Sequence, residues 1–168
     1  SVLLDKTGTV TLSELALTTK EPLQTLSAEH RMALFQMVAR SNHPVSRALL
    51  AALTERGSSA PIDESAHVEE HAGAGLSLSL SGHLYRLGSA RFALPDSASA
   101  SMTDVAASAD AQSVLSCDGQ EVARFSLAEA LCRDAEAEVS ALKAAGYAVY
   151  ILSGDRKDKV DRTAKLLG

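Results

Sequence analysis

The sequence predicts an α/β domain with a parallel sheet, interrupted by an inserted α+β domain. Two short apolar runs, residues 2–4 and 148–152, predict two buried strands near the two ends of the chain. Helical spacing of apolar residues precedes the second run at 134–145, where Gly146 is the expected stop, and follows it at 156–167. The order helix, strand, loop, helix is typical of a parallel α/β sheet.

The sequence between the two predicted strands has a different pattern. Residues 28–38 and 45–53 have helical spacing and predict a pair of helices. Alternating apolar and polar residues at 76–80 and 85–87 predict strands of an antiparallel sheet. Residues 97–113 are rich in Ser, Ala and Asp, and they fit either a surface loop or a weak helix. This middle segment is therefore expected to form the α+β insert, joined to the α/β domain by two hinge strands.

Composition excludes several classes of function. The chain has 168 residues, of which 46% are hydrophobic and 22% charged, a balance typical of a soluble folded protein. The net charge of −5, without any run of Lys and Arg, argues against nucleic acid as a partner. No apolar stretch is long enough to span a membrane. Cys117 and Cys132 form no CxxC motif, which argues against a disulfide scaffold or a zinc site and favours a reducing, cytosolic setting.

Asp5 follows the first predicted strand, and Ser153-Gly154-Asp155 follows the second. Because ligands of parallel α/β sheets bind beyond the carboxyl ends of the strands, the two loops are expected to form one site. An aspartate can act as a nucleophile toward a phosphoryl group that Mg²⁺ and hydrogen-bond donors hold in line. Gly8 allows close backbone approach in the loop after Asp5, and exposed N–H groups there can bind an anion. Taken alone, an aspartate in this position is more often a loop cap.

Four motifs follow one another along the chain: Asp5-Lys6-Thr7-Gly8-Thr9-Val10-Thr11, Ser41-Asn42-His43-Pro44, Gly73-Ala74-Gly75 and Ser153-Gly154-Asp155. They resemble motifs of the P-type ATPases, which are cation pumps. The resemblance covers essentially the whole chain, with the motifs in the family's order and spacing. It implies a nucleotide-binding domain at 14–126, inserted into part of a haloacid-dehalogenase-like phosphorylation domain at 1–13 and 127–168. In chain order the four motifs are similar to the family's phosphorylation motif, with Val10 for the common leucine; to the His-Pro motif of the heavy-metal branch; to its glycine pair; and to the Thr-Gly-Asp loop, where this chain has Ser153.

The resemblance also implies roles for individual residues. Asp5 would accept the γ-phosphate of ATP, and Asp5 and the Thr7 carbonyl would hold Mg²⁺. His43 is similar to the histidine that orients the adenine end of ATP, although a histidine before Pro44 could simply cap the following helix. The implied phosphate contacts are Lys6, Thr7, Gly8, Ser153, Gly154 and Asp155, and the implied nucleotide contacts are His43, Pro44, Gly73, Gly75, Gly88 and Ser89.

The chain departs from the family pattern at three places in the insert. Val38 stands where the family usually has a glutamate, Ser89 replaces the asparagine of a Gly-Asn pair, and Leu76-Ser77-Leu78 lacks an expected glycine. Each lost hydrogen bond is worth about 0.5–1.5 kcal/mol, so we expect ATP binding to be weakened by roughly tenfold or more. Glu69 and Glu70 are interpreted as surface charge.

The resemblance implies partners outside these residues. They are a heavy-metal cation held by membrane helices and an actuator domain, which makes this chain the cytosolic part of an integral protein of the plasma or inner membrane. The GDGxND segment of the pumps would lie beyond Gly168, so we expect little activity from these residues alone. The sequence does not indicate which cation is moved.

Two other functions and one other site remain open. A free-standing haloacid-dehalogenase-like phosphatase would need a second acid two residues after its nucleophile, where this chain has Thr7. An isolated nucleotide-binding module needs only the insert. His67 and His71 have the spacing at which one helix face could bind a metal, but with no third ligand evident we favour a solvated face or loop.

Overall fold

The computed structural model describes residues 1–6, 9–55, 61–95, 111–132, 134–154 and 157–167. The chain divides into two compact units, Ser1–Leu15 with Glu129–Gly168 (unit 1) and Ala16–Ala128 (unit 2). Each division lies two residues after the corresponding boundary predicted from the sequence. The elements in chain order are β1 Val2–Asp5, β2 Thr11–Leu17, α1 Glu21–Gln24, α2 Ala28–Val38, α3 Pro44–Thr54, β3 Val68–His71, β4 Gly75–Leu80, β5 His83–Gly88, α4 Ala90–Ala93, β6 Ala111–Cys117, β7 Gln120–Leu131, α5 Ala135–Ala144, β8 Val149–Leu152 and α6 Lys157–Leu166.

Unit 1 contains a parallel pair of strands, β1 and β8, with register partners from Val2 opposite Val149 to Asp5 opposite Leu152. The helices α5 and α6 flank β8 in sequence, as the pattern predicted. Gly146 follows the end of α5 with a φ of +84°, a conformation that suits glycine, so the predicted stop is confirmed.

The prediction that β1 and β8 are buried is only half right. Successive side chains of a strand point to opposite faces, and here the two faces differ. One face packs against a small apolar core, whereas the side chains of the other face are exposed: Leu3 is 65%, Tyr150 57% and Leu152 61% exposed. The core comprises Val10, Ala135, Val139 and Leu167, with Leu4, Leu131, Cys132, Val149 and Ile151 packed against it.

Unit 2 is built on a six-stranded sheet in the order β2-β7-β6-β5-β4-β3. The pairs from β3 to β7 are antiparallel, so the predicted α+β character of the insert is confirmed. The helices α2 and α3 and the strands β4 and β5 lie where the sequence predicted them. The sheet and helices enclose a core whose fully buried side chains include Leu34, Met37, Leu49, Leu78, Leu115 and Phe125.

Some elements of unit 2 were not predicted. The strand β3 and the short helices α1 and α4 have no counterpart in the sequence pattern described above. The strand β2 and the twelve-residue strand β7, in contrast, span the two junctions at which hinge strands were expected. Most of the Ser- and Ala-rich segment 97–113 lies outside the described residues, but its last three residues belong to β6 rather than to a loop or helix. Among the described residues, no helix is long and apolar enough to cross a membrane.

Candidate functional site

Unit 2 contains a cavity of about 240 Å³ between the start of α3, the turn before β4 and the end of β5. Five of the six residues that the motifs predicted as nucleotide contacts line it, although they come from three separate segments: His43, Gly73, Gly75, Gly88 and Ser89. Pro44 is not among the described lining residues, and it begins α3 directly after His43. The remaining lining residues are Ser41, Val45, Ser46, Glu70, His71, Ala74, Leu76, Leu87, Gln112 and Ser113.

His43 is both the cap of α3 and a wall of the cavity. The Val45 N–H donates to His43 Nδ1 at 3.3 Å, so the capping role considered for this histidine is real. A ring nitrogen that accepts a hydrogen bond carries no proton, so a neutral His43 has its proton on Nε2. The capping bond therefore leaves the imidazole with an Nε2–H donor on an exposed side chain that borders the cavity.

Two glycines allow β4 and β5 to approach closely beside the cavity. Gly75 and Gly88 are register partners. A Cβ atom on Gly75 would lie 2.1 Å from the Leu87 carbonyl oxygen, and one on Gly88 would lie 2.1 Å from that of Ala74. Both positions therefore require glycine for packing. Gly73 differs, because its φ of +70° favours glycine although no atom lies within 4 Å of the place of its Cβ.

The departures from the family pattern have visible structural consequences. Val38 is fully buried in α2 and belongs to the core of unit 2. The Ser89 side chain caps α4 by accepting from the Phe92 N–H at 3.4 Å, and the Ser89 N–H donates to the Ala74 carbonyl at 3.1 Å. The sequence reasoning missed Glu70, which was assigned to surface charge. It is exposed but lines the cavity, where it is the one acid among the described lining residues.

Asp5 and Lys6, the first two residues of the predicted phosphorylation motif, lie at the carboxyl end of the parallel strands of unit 1. Asp5 ends β1 opposite Leu152, and the next residue, Lys6, donates its N–H to the Leu152 carbonyl at 3.0 Å. The exposed carboxylate of Asp5 therefore lies at the same sheet edge as the loop that starts with Ser153 and Gly154. Thr7, Gly8 and Asp155, three of the predicted phosphate contacts, lie outside the described residues.

Lys6, one of the predicted phosphate contacts, pairs with a carboxylate of β7. Its side chain is almost fully buried, at 2% exposed, and its ammonium pairs with the Glu129 carboxylate, whose side chain is 36% exposed. Thr11 Oγ1 joins the group, lying 3.1 Å from the Lys6 carbonyl oxygen and 3.2 Å from Glu129 Oε2. These contacts tie the residue after Asp5 to the strands β2 and β7. Glu129 could not be recognised from the sequence, because 123 positions separate it from Lys6.

The two histidines considered as metal ligands do not share a helix. His67 precedes β3 and His71 ends it, so the helical spacing argument does not apply. The Nε2 atom of each histidine lies near the carboxylate of Glu69, at 3.8 Å for His67 and 4.0 Å for His71. His71 also lies 2.8 Å from Ser77 Oγ and stacks at a tilt on Phe92, with 4.9 Å between the ring centroids. The interpretation as a strand surface, rather than a metal site, is the one these contacts favour.

Comparison with known proteins gives matches over the whole chain. The profile of a hydrolase family, haloacid dehalogenase-like hydrolase, matches residues 1–168. Nitrogen fixation protein FixI of Rhizobium leguminosarum bv. viciae is 37% identical over 173 residues, covering 100% of this chain and 21% of that protein. The zinc-transporting ATPase of Bacillus subtilis (strain 168) is 28% identical over 174 residues, covering 99% of this chain and 27% of that protein. The chain thus spans about a fifth to a quarter of the length of these relatives.

Solved structures show the same fold. A crystal structure of a zinc-transporting PIB-type ATPase has a TM-score of 0.79 and 21% identity, over 99% of this chain and 27% of that one. The catalytic domain of the CPx-ATPase CopB-B has a TM-score of 0.61 and 22% identity, over 99% of this chain and 58% of that one. The predicted combination of a haloacid-dehalogenase-like domain with an insert is confirmed by these matches. The chain belongs to the haloacid dehalogenase-like hydrolase family and, within it, is a relative of the heavy-metal-transporting P-type ATPases.

Proposed function

We propose that the chain is the ATP-binding and phosphorylation region of a P-type ATPase that transports heavy-metal cations. In this proposal unit 2 binds ATP, and Asp5 of unit 1 accepts its γ-phosphate. The whole protein would be an integral membrane protein with an actuator domain and membrane helices that carry the cation. The main support is the cavity of unit 2, because residues chosen from separate motifs line it together.

The cavity suits the adenine end of ATP. Its volume of about 240 Å³ lies below the roughly 300–1,000 Å³ typical of sites that enclose a drug-sized ligand, so it would take the base and leave the triphosphate outside. Its described lining includes no Lys or Arg, the side chains that usually neutralise phosphates. Leu76 and Leu87 supply apolar wall, and the glycines let the backbone approach a flat ring.

Two polar side chains could orient the base. The Nε2–H of His43 is a donor, and the carboxylate of Glu70 is an acceptor that matches the exocyclic amine of adenine. Glu70 would thus replace the carboxylate that is lost because Val38 stands where the family usually has a glutamate. The pair would favour adenine over guanine, because guanine presents a carbonyl oxygen where adenine has the amine.

The chemistry of Asp5 follows from its place at the sheet edge. One carboxylate oxygen would attack the γ-phosphorus in line, forming an O–P bond while the bond to the β-phosphate oxygen breaks and ADP leaves. Oxygen donors are the ligands that Mg²⁺ prefers, so the Asp5 carboxylate fits the predicted role of magnesium ligand, together with the Thr7 carbonyl. The bound ion would neutralise phosphate charge. The Lys6–Glu129 pair would position the loop that carries Asp5.

Titration of the ¹⁵N-labelled chain with Mg-ATP tests the nucleotide site. We expect fast-exchange shifts at the amides of Gly73, Gly75 and Gly88, with a Kd on the order of 0.1 to several millimolar, because the departures from the family pattern weaken binding. His43→Ala should weaken binding severalfold, whereas His67→Ala, a histidine outside the cavity, should not. Shifts confined to other surfaces, or equal affinity in wild type and His43→Ala, would contradict the assignment.

A further inference from the structure

We propose that His83, Cys117 and Asp118 form a binding site for a divalent transition-metal ion of zinc-like preference in unit 2. Their ligand atoms lie within 4.8 Å of one another. The cluster lies where the turn from β6 to β7 meets the start of β5. It shares no residue with the described lining of the nucleotide cavity and does not depend on the proposed function.

The distances are close to those of a coordinated ion. His83 Nδ1 donates to Asp118 Oδ2 at 2.7 Å, and Cys117 Sγ lies 3.9 Å from the same oxygen. A tetrahedral zinc ion, with bonds of about 2.0–2.3 Å, would hold such ligand atoms about 3.3–3.6 Å apart. Coordination would therefore require side-chain rotations that bring the three atoms, now within 4.8 Å of one another, to these separations.

The backbone holds Asp118 in place for this role. Asp118 has a φ of +50°, in the left-handed region, and follows the last residue of β6. Its N–H donates to the Leu84 carbonyl at 2.8 Å, and the Leu84 N–H donates to Asp118 Oδ1 at 2.9 Å. One carboxylate oxygen is thus fixed by the backbone, and the other, Oδ2, is turned toward His83 and Cys117. This arrangement orients the ligand before an ion arrives.

Tyr85 provides an independent observation. It is the register partner of Cys117, so the two side chains share one face of the sheet. Its hydroxyl is buried and has no hydrogen-bond partner among the described residues, an uncommon state for a buried polar atom. A metal-bound thiolate at Cys117 would give this O–H group an acceptor.

The surroundings leave room for a fourth ligand. The cluster borders an open cavity of about 510 Å³ whose lining also includes His30 and Glu121. The His30 ring lies edge-on to Tyr85, with 5.9 Å between the centroids. Water or one of these side chains could complete the coordination. A set of imidazole, thiolate and carboxylate favours zinc or cobalt over magnesium or calcium, which prefer oxygen ligands alone.

Cobalt(II) is the probe that tests the site directly, because a cysteine thiolate bound to cobalt gives a charge-transfer absorption band. We expect the reduced 168-residue chain to develop this band up to one equivalent of Co²⁺ and to lose it when Zn²⁺ displaces the cobalt. Cys117→Ala should lose the band, and Cys132→Ala, which removes the other cysteine, should keep it. By calorimetry, His83→Ala should bind Zn²⁺ at least tenfold more weakly than wild type, and His67→Ala should bind it equally well.

Three results would overturn the proposal: no band in wild type, a band that persists in Cys117→Ala, or a band lost only in Cys132→Ala. Far-UV circular dichroism establishes that each variant is folded. His83 is exposed, so its replacement does not disturb the core. If Cys117→Ala fails to fold, the affinity of His83→Ala decides the question, and zinc affinity equal to wild type rejects the site.

Discussion

Replacing Gly88 by alanine tests the close contact between β4 and β5 on which the shape of the proposed nucleotide cavity depends. The added methyl carbon would lie 2.1 Å from the Ala74 carbonyl oxygen and 2.8 Å from the Gly75 Cα, whereas ordinary contact begins near 3.4 Å. The neighbouring strand would have to move by more than 1 Å, and both obstructing atoms belong to the backbone. Overpacking of this kind costs about 3 kcal/mol. For a unit of this size, that lowers Tm by roughly 10 °C.

Thermal unfolding followed by circular dichroism measures this loss, with Gly73→Ala as the matched control in the same cavity. Gly73 has a φ of +70° but no neighbour near its would-be Cβ, so alanine there costs only the left-handed conformation, about 1–2 kcal/mol. Gly88→Ala should therefore unfold several degrees below Gly73→Ala and should also lose ATP binding. Equal melting temperatures for the two variants, or an unchanged Tm in Gly88→Ala, would refute the reasoning.

Three further predictions concern other residues. Glu70→Gln should reduce the preference for ATP over GTP severalfold, with little change in Tm. If calorimetry finds the same preference in wild type and in Glu70→Gln, Glu70 does not contact the base. Glu129→Gln removes the charge that faces the buried Lys6 ammonium and should lower the free energy of unfolding, measured in urea, by about 1.5–3 kcal/mol. Glu136→Gln, on the exposed side of α5, should leave it unchanged. Similar urea midpoints for the two variants would show that the Lys6–Glu129 pair contributes little. The hydrogen bond to Asp118 raises the pKa of His83 above 6.5, so in metal-free protein the stabilisation from His83 is fully present below pH 6.5 and is lost as pH rises through the raised pKa. An NMR titration should find the His83 midpoint above that of His67, and Asp118→Asn should lower the His83 midpoint. A His83 midpoint that does not change in Asp118→Asn would contradict the contact.

Local sequence signals predicted the parts of the fold that depend on neighbouring residues. The helix over Ala28–Val38 was predicted from its apolar spacing, and the structure adds Ser27 as an N-cap, whose side chain accepts from the His30 N–H at 3.2 Å. Gly146 ends α5 because its φ of +84° suits glycine. The residues His43, Gly73 and Gly88 were selected from motifs, and their presence around one cavity could not be derived from spacing alone.

Contacts between distant residues could not be predicted in the same way. The pairing of Lys6 with Glu129 and that of His83 with Asp118 join side chains 123 and 35 positions apart, and neither carboxylate belongs to a motif. Cys117 was dismissed as a ligand because it has no partner nearby in sequence, whereas the sheet brings it opposite Tyr85. Leu3 and Tyr150 were expected to be buried because an apolar run does not show which of its faces is covered.

Phosphorylation of Asp5 is the measurement that tests the central claim most directly. Because the chain covers 21% of the length of its relative FixI, the experiment uses the longer membrane protein that the proposed function implies. Incubation with γ-labelled ATP, Mg²⁺ and a transition-metal cation, followed by acid quenching, should give a labelled protein that hydroxylamine discharges, as expected for an acyl phosphate. Asp5→Asn should abolish the label but keep ATP binding, and Asp134→Asn, an exposed aspartate before α5, should retain it. Label at the wild-type level in Asp5→Asn would contradict the account.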